Sequence, residues 1–599
     1  MAEFLSYIKK FITYKEPKDI DDFELLESEH EGTDQDGLDE EFQKEQDKKS
    51  NQDKDKDKKN EKKKNPLKVD EWNKTKNKTK NKSDDKSDDK STKSTENMVD
   101  PQLKINLEHI QKVFISDKNS DIIIRQFKIA QKIEAFIVFI DGMVDREIIN
   151  NYILRQLMKP ELFENYKGDR LVEFVENNVL SVHDTKKETK YDMIIGKICN
   201  GITVLFIDGC SECLSFETRG YEKRSVEKPI TEADIAGSQE GFNENLRTNI
   251  TLIRRIVKSH HLVTEILPLG KTNHSFCAVM YVDGIANPKV IKEVKRRISS
   301  LDTDYIQNTG VLEQLIEDSP LMLFPQVLKT ERPDRASSFL MEGRVVIVVD
   351  GSPFTLAVPV TFFSMLQTSE DLNIKWQFGT LLRLTRLFGM FVAILLPGLW
   401  IALTLYHQEM IPTDLLSSIA MARENVPFPI LVEVILMEVS FELIREAGIR
   451  VAGITGTTLG MVGGLIMGQA AVTAGIVSPI LVVVVAITGL GNFAIPNYSL
   501  ALSIRISRFL FIVLGALAGF YGISVGLFVL GGLVCSMKSF GVPFLSPIAP
   551  KTKGNSGLAL RMPAFSQKER PDFLNTLDRK RTGENPRGWI KRDKGGEKN

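Results

Sequence analysis

Fifty-four consecutive residues, Val451 to Ile504, contain no Asp, Glu, Lys or Arg. A membrane-spanning helix needs about 20 mainly apolar residues, so this run has room for two. It follows a segment of opposite character. VPFPILVEVILMEVSFELIREAGIR (426–450) reads as an apolar helix that nevertheless carries Glu433, Glu438, Glu442, Arg445, Glu446 and Arg450. Ionisable groups at membrane depth are costly and face a partner, a cavity or an ion path. The sequence therefore specifies a membrane region with an unusual charged element at its centre.

The remaining membrane half is organised around that pair. Residues 361–386 read as interfacial, with Trp376 and Phe378 suited to the headgroup layer and Arg383 and Arg386 just before a first span at Leu387–Tyr406. Pro397-Gly398 predicts a kink there. Beyond it His407, Glu409 and Asp414 precede the next cation, Arg423, so the positive-inside bias places the N-terminal half in the cytoplasm. The first residues lack a secretory h-region, which supports that side. Pro479 and Pro496 bracket a β-branched run short for a span. Arg505 and Arg508 then mark another cytoplasmic edge before an uncharged stretch, Phe509–Met537, in which Gly515, Gly519, Gly522 and Gly526 share a face.

On a helical wheel Glu438, Glu442, Arg445 and Glu446 fall within about 100° of one another. Two roles fit this face: a helix lying across the interface with its charges in water, or a cation-attracting vestibule or salt-bridged gate. The next helix places Gly456, Gly460, Gly464 and Gly468 at every fourth position, with Gln469 the strongly polar side chain of its second half. Small residues at that spacing let helix backbones approach closely, within the subunit or around a symmetry axis.

The front half is soluble in character. From about 15 to 98 the chain is a mixed-charge polyampholyte with too few apolar residues to offset chain entropy, predicting disorder. Its interspersed acids argue against nucleic-acid binding. Between 100 and 360 lies an internal repeat. Asp141 to Asp283, Asp208 to Asp350 and Gly201 to Gly343 are each separated by 142 residues. Every one of these four Asp-Gly pairs ends a strand-like apolar run, and helix-like segments at 105–114 and 246–257 precede the two units. The repeat predicts two similar α/β subdomains in tandem. Four such pairs at strand ends fit turn chemistry better than catalytic carboxylates. Cys210 and Cys213 form a lone C-x-x-C without the second ligand pair of a zinc site; the offset matches them to Ser352 and Thr355, so incidental thiols in a hairpin are expected. No nucleotide, hydrolase or metalloprotease motif occurs, so neither a cofactor nor an enzymatic activity is expected.

Six stretches resemble the A subunit of the GerA-type spore germinant receptors: EGFNENLRTNITLIRRI (240–256), MYVDGIANPKVIKEVKRRI (280–298), FPQVLKTERPDRASSFLMEGRVVIVVDGSPF (324–354), ARENVPFPILVEVILMEVSFELIREAGIR (422–450), GQAAVTAGIVSPILVVVV (468–485) and IPNYSL (495–500). The resemblance covers about 100–550. It departs from the family pattern at 236–239, which reads AGSQ where arginines are common, and after Arg450, where VAGITGTT replaces a proline-containing joint.

The resemblance implies a subunit of the nutrient receptor in the spore inner membrane. It implies work alongside a transporter-like B subunit and a lipoprotein C subunit, and a homo-oligomeric ring forming a nutrient-gated cation channel. Within it, Glu433, Glu438, Glu442, Arg445, Glu446 and Gln469 are the expected ion path or gate, and Gly456, Gly460, Gly464 and Gly468 the close-packing surface. An amino-acid transporter and a non-conducting membrane scaffold are the alternatives; the transporter would want an inverted repeat, and none is visible. The expected layout is a charged arm over 1–98, α/β subdomains over 99–235 and 236–362, an interfacial linker over 363–386, an all-α multi-pass domain over 387–550 and a basic, flexible tail over 551–599 able to lie on membrane lipid.

Overall fold

The structure is a computed structural model. It describes residues 97–583, except 165, 167–169, 183, 221–227, 230, 233, 451–453 and 552–559, together with 586–587; the side chains of 449 and 454–461 are likewise not described. The charged arm, the end of the tail and the joint after Arg450 lie outside these residues.

Two five-stranded antiparallel sheets carry the front half. The first unit runs α1 (Leu103–Val113), β1 (Ile122–Ile129), β2 (Ile133–Ile140), β3 (Thr185–Glu188), α2 (Tyr191–Cys199), β4 (Thr203–Ile207) and β5 (Cys213–Phe216). The second runs α3 (Leu246–Ile256), β6 (Leu262–Leu269), β7 (Ser275–Val282), α4 (Pro288–Ser299), α5 (Thr309–Ile316), β8 (Leu328–Thr330), α6 (Pro333–Glu342), β9 (Val345–Val349) and β10 (Thr355–Val358). The strand orders are β1-β2-β4-β5-β3 and β6-β7-β9-β10-β8, so the 142-residue sequence repeat is a repeat of topology.

Each sheet is covered on both faces, which explains why its central strands are continuously apolar rather than alternating. In β2, Ala135, Ile137 and Phe139 point into one core while Phe136, Val138 and Ile140 point into the other. The Asp-Gly pairs are turns: Gly142, Gly209, Gly284 and Gly351 all adopt positive φ, which glycine does without a Cβ penalty. Two of the aspartates also cap a helix in the same way in each unit. Asp208 accepts from the Leu103 amide (3.2 Å) and Asp350 from the Leu246 amide (3.3 Å). Cys213 sits at the start of β5, where burial pushes its thiol up to about 12, and every cysteine is unpaired.

A buried polar network joins the two units. Arg254 on α3 donates to both oxygens of Asp121 (2.7 and 2.8 Å), to Asn119 (3.1 Å) and to Thr264 (3.3 Å). The Ser120 amide meets the Thr264 carbonyl at 2.8 Å.

The helical half comprises α7 (Trp376–Tyr406), α8 (Thr413–Arg423), α9 (Ile430–Arg450), α10 (Ile454–Thr473), α11 (Pro479–Phe493) and α12 (Tyr498–Ser536). Two of these, α7 and α12, are long and apolar enough to cross a membrane. The core on one face of the second sheet runs without a break into them: Ala278, Met280, Val346 and Val348 belong to the same cluster as Met390, Ala393, Phe511 and Ile523.

Several expectations are corrected here. Helix α7 begins at Trp376, ahead of the expected span at Leu387–Tyr406, and Arg383 and Arg386 are not free headgroup anchors. Both bind the fully buried Asp371, at 3.0 and 2.8 Å. Helix α12 contains non-helical backbone at Ala518 and Gly519. A Cβ on Gly526 would lie 2.6 Å from the Leu514 side chain, although 12 residues of straight helix span about 18 Å. The chain therefore doubles back at Gly519, and α12 is a helical hairpin. Tyr406 closes the bend by donating to the carbonyls of Ala516 (2.7 Å) and Leu517 (3.1 Å). Finally, the described tail is packed rather than flexible. Arg561 donates to the Leu372 carbonyl (2.9 Å), Arg570 to that of Met341 (3.0 Å), and Phe573 and Leu574 enter the second unit's core.

Removing one partner of a buried ion pair costs about 3–5 kcal/mol, because it strands the other charge. Arg254→Leu is therefore expected to lower the melting temperature of the purified chain markedly, whereas Asp121→Leu combined with Arg254→Leu recovers much of the loss; equal melting of the two variants would refute the pairing.

Candidate functional site

The charged helix α9 is held by a different partner at each level. At its start Glu433 is buried, accepts from Arg423 Nη2 at the end of α8 (2.8 Å) and from the Ser478 amide that opens α11 (3.2 Å). Five residues on, Glu438 faces Arg508 of α12 at 2.9 Å, with both side chains buried to within 2% of full enclosure. One turn further, Glu442 accepts from Arg505 Nη1 at 2.9 Å and pairs with Arg445 on its own helix. At the exposed end Glu446 meets Arg450 at 2.9 Å.

The spacing explains the match. Residues three or four apart share a helix face, so Glu438 and Glu442 on α9 oppose Arg508 and Arg505 on α12 in antiparallel register. The Glu442 level is well satisfied: three guanidinium nitrogens reach its two oxygens. The Glu438 level is not. Both of its oxygens, and Nε and Nη1 of Arg508, have no aligned hydrogen-bond partner among the described residues. The two charges attract without completing each other's hydrogen bonds, a poor arrangement for a buried pair.

Of the expected site residues, the structure brings Glu438, Glu442 and Arg445 together. It places Glu433 at one end of the helix, Glu446 at the other, and Gln469 apart on the exposed side of α10. Arg505 and Arg508 were read as a cytoplasmic edge. Their signal was present: two cations at i, i+3 within an otherwise uncharged run, complementary to two acids at i, i+4. No cluster of three or more His, Cys, Asp or Glu side chains suited to a metal occurs among the described residues.

Among the described residues, the closest helix approaches fall on glycines outside the stripe. A Cβ on Gly398 of α7 would stand 2.6 Å from the Phe511 carbonyl, one on Gly515 2.6 Å from the Gly398 carbonyl, and one on Gly389 3.1 Å from the Gly491 carbonyl. Gly464 meets nothing within 4 Å and Gly468 meets only Val482 at 3.6 Å. Gly456 and Gly460 fall where side-chain surroundings are not described.

A family model described as Bacillus/Clostridium GerA spore germination protein matches residues 108–573. The chain belongs to this GerA family. It is 38% identical over 493 residues to spore germination protein KA of Bacillus subtilis, covering 82% of this chain and 90% of the relative. It is 39% identical over 481 residues to spore germination protein GerLA of Bacillus cereus, covering 80% and 97%. A crystal structure of the N-terminal domain of the A subunit of the Bacillus megaterium spore germinant receptor GerK3 aligns at 30% identity over 44% of this chain and 97% of that one, with a TM-score of 0.36. The ion-paired helix and its α12 partners all lie inside the GerA match.

The glycine geometry separates two substitutions of equal size. Gly398→Val is expected to collapse the yield of folded protein in detergent, since a side chain there meets backbone. Gly464→Val is expected to fold and melt like the parent. Comparable losses for both would contradict the assignment.

Proposed function

We propose that this GerA-family chain is the membrane-embedded A subunit of a nutrient germinant receptor, and that rings of it pass monovalent cations when partner subunits bind nutrient. The single observation that carries this reading is the buried, incompletely hydrogen-bonded Glu438–Arg508 pair between two apolar helices. A membrane anchor would need only the register that the fully hydrogen-bonded Glu442 level already supplies, whereas a gate needs a contact that holds one state and can be released.

The multi-pass reading draws on the helix directions. Helix α7 leads away from the second sheet; α9 returns toward it, antiparallel to the first arm of α12. Helix α10 leads out, α11 comes back, and the two arms of the α12 hairpin go out and return. Each arm of α12 measures roughly 25–30 Å at 1.5 Å per residue, the thickness of a hydrocarbon core. Six passes keep the sheets and the packed tail on one side, the cytoplasmic side by the positive-inside bias of Arg383 and Arg386 before the first span and the lack of a cation beyond it until Arg423. Helix α10 supports a ring: Leu465 and Ile466 are 72% and 61% exposed and Gly464 is open, a surface suited to another copy. Transporter-like B and lipoprotein C subunits are the partners in this scheme.

Spores carrying Glu438→Gln with Glu442→Gln are expected to release potassium at an altered nutrient threshold, and Arg508→Gln to shift it likewise. Exchanging the charges, Glu438→Arg with Arg508→Glu, is expected to restore much of the response. Normal assembly with unchanged release in all three would remove the gate. Receptor complexes in vesicles that pass no potassium with nutrient present would favour a non-conducting scaffold.

A further inference from the structure

A half-open cavity of about 740 Å³ lies between the second sheet unit and the helices, about one helical turn from the Glu438–Arg508 contact. Its walls come from the loops around Asn308 and Gly351 on one side and from α9, α11 and the start of α12 on the other. We propose that it binds the headgroup of an anionic, hydroxyl-bearing phospholipid such as phosphatidylglycerol, an inference that rests on the reading of α7 and α12 as membrane-spanning.

Three cations line the cavity: Lys329, Arg445 and Arg505. Arg505 is 4% exposed, a built-in wall and not a surface residue. The acid among the lining residues, Glu232, is engaged by Arg335. Arg445 and Arg505 share the one carboxylate of Glu442, so that trio keeps a net positive charge. Lys329 pairs with Glu313, and its ammonium has two further donors. Guanidinium forks partly used by one carboxylate retain N–H groups for phosphate oxygens.

A second observation points to a ligand with a donor. Asn492 lines the cavity and is 7% exposed, yet its Oδ1 is enclosed without a hydrogen-bond partner among the described residues. A glycerol hydroxyl of the headgroup would supply one, since the phosphodiester itself has no donor.

The mouth indicates where the rest of the ligand goes. Phe493 and Tyr498 stand there 63% and 58% exposed, aromatic side chains of the kind found at headgroup level. From Phe493 an apolar stripe continues along the outer face of α11 through Leu490, Ile487 and Val483, which are 68%, 45% and 56% exposed. These positions share one helix face. Acyl chains lying on that stripe bring the phosphate to the three cations, the pattern of basic pockets that take lipid headgroups between helices.

The test uses the full-length chain purified in detergent and native mass spectrometry with dioleoyl phosphatidylglycerol, dioleoyl phosphatidylcholine or inorganic phosphate. Preferential retention of phosphatidylglycerol is expected, weakened on the order of fivefold by Lys329→Gln, the effect of one lost cation near a headgroup. Phe493→Glu, at a position 63% exposed, is expected to weaken it at least as much while phosphatidylcholine retention stays constant. Equal retention of the two lipids, or indifference to both substitutions, overturns the proposal. Displacement of phosphatidylglycerol by millimolar phosphate overturns the lipid source in favour of a free anion. Alkaline carbonate extraction of cell membranes separates the underlying reading: a chain released by carbonate fails as a membrane protein, whereas an integral chain without lipid preference fails only here.

Discussion

A charge enclosed among apolar helices must be met by its opposite within a few ångströms, and the helical half of this protein is arranged around that demand. Glu433, Glu438 and Glu442 each draw a different neighbour to α9: the α8 terminus, the middle of α12 and the base of α12. Removing the acids would leave an apolar helix free to rotate or slide, because dispersion contacts between smooth apolar surfaces fix register weakly. The ion pairs fix it. Their cost is uneven, since the Glu442 level is fully hydrogen-bonded and the Glu438 level is not, so the helix is held firmly at one depth and loosely at the next.

The fold of the front half was legible in the sequence because a duplication prints itself twice. The 142-residue offset located equivalent strands, and the shared strand order follows from it. The Asp-Gly turns were legible for a local reason, the positive φ that each glycine supplies. What could not be read was long-range. Arg505 and Arg508 sit 63 and 70 residues from Glu442 and Glu438, and nothing local distinguishes a cation paired across helices from one facing headgroups. The glycine stripe is a related case. Spacing predicts a smooth face, while the partner of that face decides whether it is used. Within one chain the close approaches fall at Gly389, Gly398, Gly491 and Gly515, where helices cross, and not at Gly464.

The hairpin in α12 shows the same limit from another side. Hydropathy sees 29 uncharged residues from Phe509 to Met537, and no average over a window reveals that Gly519 adopts φ +58 and turns the chain around. Freed carbonyls at such a bend need donors in an apolar setting, and Tyr406 provides the hydroxyl. The sequence marks Tyr406 only as the end of a span; its hydroxyl closes the bend.

The two sheet units, alike in topology, are attached by joints of different physical kinds. The second unit shares an unbroken apolar core with α7 and α12 and is further strapped by the tail through Arg561 and Arg570. The first is joined to the second through directional polar contacts centred on Arg254. Apolar contact tolerates small slips but resists separation, whereas hydrogen bonds resist slips and break cleanly at a threshold. One copy of the fold is thus the mount of the helical half, and the other is an arm whose orientation on that mount is set by a single buried guanidinium and the acid it meets.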